Sequence, residues 1–211
     1  MDIVDARLKE NQFDLIHDSR RAFQTLMMSL AFPGVIRKLD PVPLVINPPA
    51  IGFILQPFLT LLDLEVTFHV HAMDDDVRKE VSRYLEVNTH SMSANFDRAD
   101  FVLCLSPSLN GTFEAVKQGT LPNPHQSATV FYFVRKIADH PHGGDVSFCL
   151  TGPGIQSKQV LSVDGLSPDE PEQWRQHRKQ YPMGADIYLI SHSGKIIGIP
   201  RSVNIETLGD K

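Results

Sequence analysis

Phe148-Cys149-Leu150-Thr151-Gly152-Pro153-Gly154-Ile155, Tyr181-Pro182-Met183-Gly184-Ala185-Asp186-Ile187-Tyr188-Leu189-Ile190 and Gly198-Ile199-Pro200-Arg201-Ser202 all fall within residues 146–206. In each, an apolar run of strand type abuts glycine, proline or a single charge, so a buried sheet edge hands a backbone turn to the surface. Between residues 151 and 155 two glycines permit a positive φ or a close backbone approach. Pro153 between them fixes its own φ and removes a donor, which makes a stiff corner. Ile187 to Ile190 and Ile196 to Ile199 flank His192-Ser193-Gly194-Lys195, a pattern that predicts a hairpin with glycine at the bend. The return strand ends at Pro200 and presents Arg201 at a fixed place.

Outward from this stretch, the periodicity predicts a first helix over residues 18–32, capped by Asp18 and burying Phe23, Leu26, Met27 and Leu30 at i, i+3, i+4 and i+7. Pro33-Gly34 ends it, and Arg20 and Arg21 in its first turn read as solvated. Residues 35–39 predict a short strand and residues 40–49, with four prolines, an extended connector. An apolar helix over 50–62 follows, started or kinked by Pro57. Residues 65–71 alternate as a strand with Val66, Phe68 and Val70 on one face. Residues 74–88 predict a helix with Val77, Val81, Tyr84 and Leu85 inward and Asp75 reaching Lys79. Strands are expected over 101–105, 128–136 and 159–163, a short helix over 110–118, and a polar, solvated helix up to about residue 180. For that last helix Asp169 is the expected cap with Glu172 at N3, and Arg175, Arg178 and Lys179 suit the dipole. Strands near Val66, Val102, Val130, Phe148, Tyr188 and Ile197, interleaved with helices, predict one α/β domain over residues 1–211. Its mixed sheet carries helices on both faces, with the C-terminal hairpin as the antiparallel part.

Composition narrows the function. A chain of 211 residues with 42% apolar and 21% charged residues supports a sizeable core. Lys plus Arg is 20 against 25 for Asp plus Glu, a net charge of -5. That balance gives no general attraction to nucleic acid or to an anionic membrane, so an anionic ligand needs a local basic pocket. The longest apolar run, residues 50–62, is broken by Gly52, Gln56 and Pro57 and falls short of the ~20 residues that span a bilayer. Residues 1–11 contain Asp2, Asp5 and Glu10 and no apolar run of signal-peptide type, so a cytoplasmic protein is expected. Cys104 and Cys149 lie in strand-like runs and read as small core residues.

His69-Val70-His71 places two imidazoles on one strand face with Asp74, Asp75 and Asp76 nearby, a spacing that metal sites use. No further His or Cys motif completes a set of three or four, so no metal is expected. The loop Asp139-His140-Pro141-His142-Gly143-Gly144-Asp145 reads as a turn. Gly152-Pro153-Gly154 lacks the remaining residues of a dinucleotide or phosphate-loop fingerprint, and the nucleophile elbow, zinc-protease and Cys-x-x-Cys motifs are absent. Asp186 and Arg201 each sit beside an otherwise apolar strand. Each therefore needs a partner, either the other or a backbone group, or a functional reason.

Phe23-Gln24-Thr25-Leu26-Met27 leading to Pro33-Gly34-Val35, Leu61-Leu62-Asp63-Leu64-Glu65-Val66, Gly119 with Ala128-Thr129-Val130, Leu150 to Ile155, Pro182-Met183-Gly184-Ala185-Asp186 and Ile199-Pro200-Arg201-Ser202 together resemble the PhnH family. These are subunits of the bacterial carbon-phosphorus lyase system that degrades alkylphosphonates. Ser127-Ala128-Thr129 and Pro200-Arg201-Ser202-Val203 depart from the family's usual Gly-Ala-Thr and Pro-Arg-Thr-Thr. The resemblance implies a fold similar to the large domain of pyridoxal-phosphate-dependent transferases, without that cofactor. It implies a homodimer when isolated, and partner subunits with which the protein supports transfer of ribose triphosphate from a purine nucleotide to the phosphonate. It leaves Thr151, Gly152, Gly154, Ile155, Asp186, Pro200, Arg201 and Ser202 as candidate contact or ligand-binding residues. The other reading is a free-standing enzyme, either a metal hydrolase using His69 and His71 or a nucleotide-binding transferase.

Overall fold

The computed structural model describes residues 13–42, 44, 50–141 and 145–208. Most of the 40–49 connector and part of the 139–145 loop lie outside them. The helices are α1 (His17–Ala31), α2 (Ile51–Leu61), α3 (Asp75–Thr89) and α4 (Glu170–His177). The strands are β1 (Arg37–Lys38), β2 (Thr67–His71), β3 (Met92–Ser93), β4 (Phe101–Cys104), β5 (Thr129–Val134), β6 (Lys136–Ala138), β7 (Val146–Thr151), β8 (Gln159–Asp164), β9 (Asp186–Ser191), β10 (Lys195–Ile199) and β11 (Asn204–Thr207). Among the described residues no helix is long and apolar enough to cross a membrane.

The mixed sheet has the order β1-β10-β9-β5-β4-β2-β3. Strands β3, β2, β4, β5 and β9 run parallel, and the predicted hairpin adds β10 antiparallel to β9 in the register Ile196↔Ile190. One face of this sheet carries α1, α2 and α3. There Phe68, Val70, Leu103, Phe131, Tyr188 and Ile196 pack with Leu26, Phe58 and Val81. The opposite face is covered mainly by a second, wholly antiparallel sheet, β11-β7-β8-β6, with α4 beside it. Helix α4 does reach this face, where Trp174 packs on Tyr132 of β5, but strands rather than helices cover most of it, and Phe148 belongs to the second sheet.

The crossing between sheets occurs at Arg135. The sequence predicts one strand through residue 136, yet the Arg135 amide donates to the Asp164 carbonyl (2.9 Å) and its guanidinium pairs with the Asp164 carboxylate (2.6 Å). β6 then continues along β8. Residues 110–118 form only a 3-10 turn, Phe113–Ala115, because Asn110 and Gly111 both take positive φ (53° and 79°) and interrupt any helical start.

Local chemistry explains the remaining differences. Asp18 lies inside α1, and the helix start is closed by Asp14, whose Oδ1 accepts from the Ile16 and His17 amides. The buried stripe of α1 is Ala22, Leu26 and Ser29, while Phe23 and Met27 are about half exposed (48% and 53%). A small residue faces the sheet because α1 rides directly on β10, where a Cβ on Gly198 would lie 2.7 Å from the Ser29 carbonyl. The Tyr188 hydroxyl donates to the Leu26 carbonyl (3.0 Å) and fixes the same contact. α3 follows its sequence closely, with Asp74 accepting from the Asp76 and Val77 amides and Asp75 paired with Lys79. α4 is not the solvated helix expected. Glu170, Pro171, Trp174 and His177 are buried, and Asp169 occupies the cap position without a side-chain cap bond.

Candidate functional site

The turns at residues 151–155 and 200–203 lie against each other. β7 ends at Thr151, whose register partner is Asn204 at the start of β11, so both corners leave the second sheet at one end. Gly152 adopts φ 134°, and a Cβ there would stand 3.3 Å from the Ser202 carbonyl oxygen. Gly154 adopts φ 82°, and a Cβ there would lie 2.8 Å from the Ala31 carbonyl oxygen and from Pro33. These glycines are required by close backbone approach as well as by φ. Ile155 is half-buried against the core between the sheets, and its amide donates to the Gly152 carbonyl (3.1 Å). The corner is thus wedged between the end of α1 and the 200–203 turn, which is itself closed by Val203 N–H donating to the Pro200 carbonyl (3.0 Å).

Asp186 and Arg201 meet beside it. The Asp186 carboxylate accepts from the Arg201 amide (2.8 Å), from Nε (3.2 Å) and from Nη2 (2.7 Å), while Arg201 Nη1 donates to the Pro124 carbonyl (2.6 Å). Both side chains are less than one-fifth exposed. A bidentate pair at this depth is more than a rim contact. It stands at the amino end of β9, next to Thr129 at the start of β5.

Two neighbours escaped the sequence reading. Arg178 donates from Nη2 to the Ile199 carbonyl (3.1 Å), while its Nε and Nη1 are shut from solvent without an acceptor. Burial pulls its pKa down to about 10, which the nearby Asp186 charge opposes. His177 packs edge-on to Phe113 (4.9 Å) and accepts from the Ala185 amide through Nδ1 (3.4 Å). Burial, with the Arg178 and Arg201 charges, lowers its pKa to about 4. Nothing in a basic helix end distinguishes Arg178 from a solvated arginine. The cue lies in Trp174, the single tryptophan, which requires the helix face it shares with His177 to be inside.

The same helix brings in Glu170, which is fully buried. Its carboxylate accepts from Ser108 Oγ (2.6 Å), the Leu109 amide (2.9 Å) and the Tyr132 hydroxyl (2.5 Å), and Trp174 Nε1 donates to the Tyr132 oxygen (3.1 Å). Burial, then the Glu170 charge, pushes the Tyr132 phenol well up. The sequence reading treated this helix as polar and solvated and so gave Glu170 no buried role.

His69 and His71 diverge. His69 Nδ1 lies 3.0 Å from the Ala94 carbonyl oxygen, which makes it the donor, whereas His71 Nε2 is buried without a partner. Burial, then the His69 charge, lowers the His71 pKa. Among the described residues no group of three or more His, Cys, Asp and Glu is placed to hold a metal. Cys104 and Cys149 are free and buried, and burial raises the Cys104 thiol.

The residues brought together here come from the motifs at Pro33-Gly34, Leu150 to Ile155, Pro182 to Asp186 and Ile199 to Ser202. Comparison with known proteins gives their arrangement a family. Residues 11–206 match the model of the bacterial phosphonate metabolism protein family, PhnH. The chain is also 33% identical over 192 residues, 89% of its own length and 86% of the relative's, to a putative C-P lyase subunit protein, HtxG, of Stutzerimonas stutzeri. With its sequence matched from residue 11 to residue 206, the chain belongs to the PhnH family of bacterial phosphonate metabolism proteins.

Proposed function

We propose that the protein is a subunit of the carbon-phosphorus lyase complex in organic phosphonate catabolism. In this reading it supports, with partner subunits and without activity of its own, the transfer of ribose triphosphate from a purine nucleotide to an alkylphosphonate. The family match and the naming of its relative as a putative C-P lyase subunit support it. It works in the cytoplasm as a single domain, dimerises when isolated, and shares the architecture of the large domain of pyridoxal-phosphate-dependent transferases. No such cofactor is needed. Among the lysines in or beside strands, Lys38, Lys136 and Lys158 are exposed and the half-buried Lys195 donates from Nζ to the Ile137 carbonyl (3.3 Å), whereas a Schiff-base lysine requires a free amine in a dry pocket.

The observation that carries the assembly reading is the position of the two corners. Residues 151–155 and 200–202 stand with Asp186 at the amino end of the parallel strands, whereas open α/β sheets bind small ligands outside the carboxyl ends. Rigid corners lose little ordering entropy on association, so they suit a contact surface. The test is copurification of Arg201→Ala and Ile155→Ser, each confirmed folded, with the other subunits from a host expressing the whole pathway. Weakened assembly is expected, and unchanged affinity of both variants removes these corners from the interface.

A further inference from the structure

A groove of about 360 Å³ opens between α3 and the edge of β2 beyond the end of β3. It falls within the size range of small-ligand sites. Arg78, Lys79 and Arg83 line it from successive turns of α3, and Ser82 and Asn95 add neutral donors. The spacing accounts for the cluster, since positions 78, 82 and 86 fall one above another and 79 and 83 lie alongside. Asp75, at the start of the helix, is shared between Arg78 and Lys79. Arg83 is exposed and has no ion partner among the described residues. Glu86, the one carboxylate lining the groove, accepts the Ser93 hydroxyl (2.6 Å). The far wall is held in place, because the Ala94 amide donates to the Phe68 carbonyl (2.8 Å) and the Ala94 carbonyl faces His69 Nδ1.

The geometry points to this groove as a binding site for a small tetrahedral oxyanion, the phosphate or phosphonate group of a small molecule. A chain of net charge -5 attracts such a group only where cations are gathered locally, and here three converge on one concavity. Guanidinium groups match the oxyanion's edge with paired N–H donors, and the Lys79 ammonium adds a point charge on a flexible stem. A concave site of this volume suits a small anion better than an extended acidic segment, which would need a longer track. The site stands on this geometry and not on complex membership, so either can fail alone.

The experiment is a titration of the full chain with inorganic phosphate, methylphosphonate and ATP at low ionic strength, followed by backbone amide NMR. Saturable shifts are expected in residues 78–86 and 93–95, and the order of the three affinities tells which phosphorus group is preferred. Arg83→Gln is expected to weaken binding by about tenfold, the loss of one charge-assisted contact. Arg175→Gln, which removes an exposed arginine on α4, is expected to leave binding unchanged. Absence of saturable shifts in the groove overturns the site. So does equal weakening by both variants, which marks diffuse charge attraction only. Weaker subunit assembly in Arg83→Gln with no oxyanion binding also overturns it and reassigns the groove to an acidic partner segment.

Discussion

Breaking the Asp186–Arg201 pair from either side should destabilise the fold unequally. Arg201→Ala removes two of the three hydrogen bonds that reach the carboxylate, but the amide of residue 201 still donates to Asp186 Oδ1 and the Arg178 charge remains nearby. Asp186→Ala instead leaves Arg201 with only the Pro124 carbonyl and with the repulsion of Arg178, whose own Nε and Nη1 lack acceptors. Exposed ion pairs contribute up to about 1 kcal/mol, and breaking buried ones costs about 3–5 kcal/mol. At less than one-fifth exposure this pair belongs between them, so Arg201→Ala should cost about 2 kcal/mol and Asp186→Ala about 3. For a chain of this length each kcal/mol moves the melting midpoint by roughly 2–4 °C. Urea unfolding of both variants and of the double variant measures the pair, with a coupling energy of about 1–3 kcal/mol expected. An Arg201→Ala variant as stable as the parent, or a larger loss from Arg201→Ala than from Asp186→Ala, would refute the account.

Glu170→Leu should cost about 3–5 kcal/mol, because Ser108, the Leu109 amide and Tyr132 all lose their acceptor in a dry site, and Glu170→Gln should cost less; chemical denaturation ranks the two. His177 titrates near 4 when folded and near 6.5 when unfolded, so its neutral form stabilises fully above pH 6.5 and progressively less as the pH falls to about 4. Stability measured across that window should decline by about 3 kcal/mol from this group, and His177→Asn should flatten that part of the profile. Gly154→Ala should lower stability by about 1–3 kcal/mol, since its φ of 82° is strained for alanine and the new methyl meets the Ala31 carbonyl; thermal unfolding reads it out. Incubation with pyridoxal phosphate and borohydride should leave no stoichiometric lysine adduct by mass spectrometry.

Much of the mixed sheet was legible because its strands are bounded by their own side chains. β2 alternates, β9 and β10 flank a glycine bend, and α3 carries its acids at the front and its apolar stripe at the right spacing. Two kinds of feature were not. A long apolar run does not reveal that one residue within it changes sheets, and Arg135 acts through Asp164, far along the chain. The inner face of α1 was misjudged because periodicity rewards large apolar residues, while a helix in backbone contact with a strand wants Ser29 over Gly198 and turns Phe23 outward.

The candidate site was legible to the same degree and for the same reason. Gly152, Gly154, Pro200 and Arg201 announce themselves as turn chemistry, and an acid and a base beside apolar strands invite pairing, as Asp186 and Arg201 do. The burial of Arg178, His177 and Glu170 depends instead on where a polar helix lands. Its sequence is mostly charged, and only Trp174 ties one face to the core. Once that face is fixed, the i−4 and i+3 neighbours Glu170 and His177 follow it inside, and Arg178 is carried to the edge of β10, where Nη2 meets the Ile199 carbonyl. One tryptophan therefore places His177 and Arg178 beside the Asp186–Arg201 pair and Glu170 against the Tyr132 hydroxyl of β5. Replacing Trp174 should disturb both the pH profile set by His177 and the stability held by Glu170, whereas a surface change on the same helix, such as Arg175→Gln, should disturb neither.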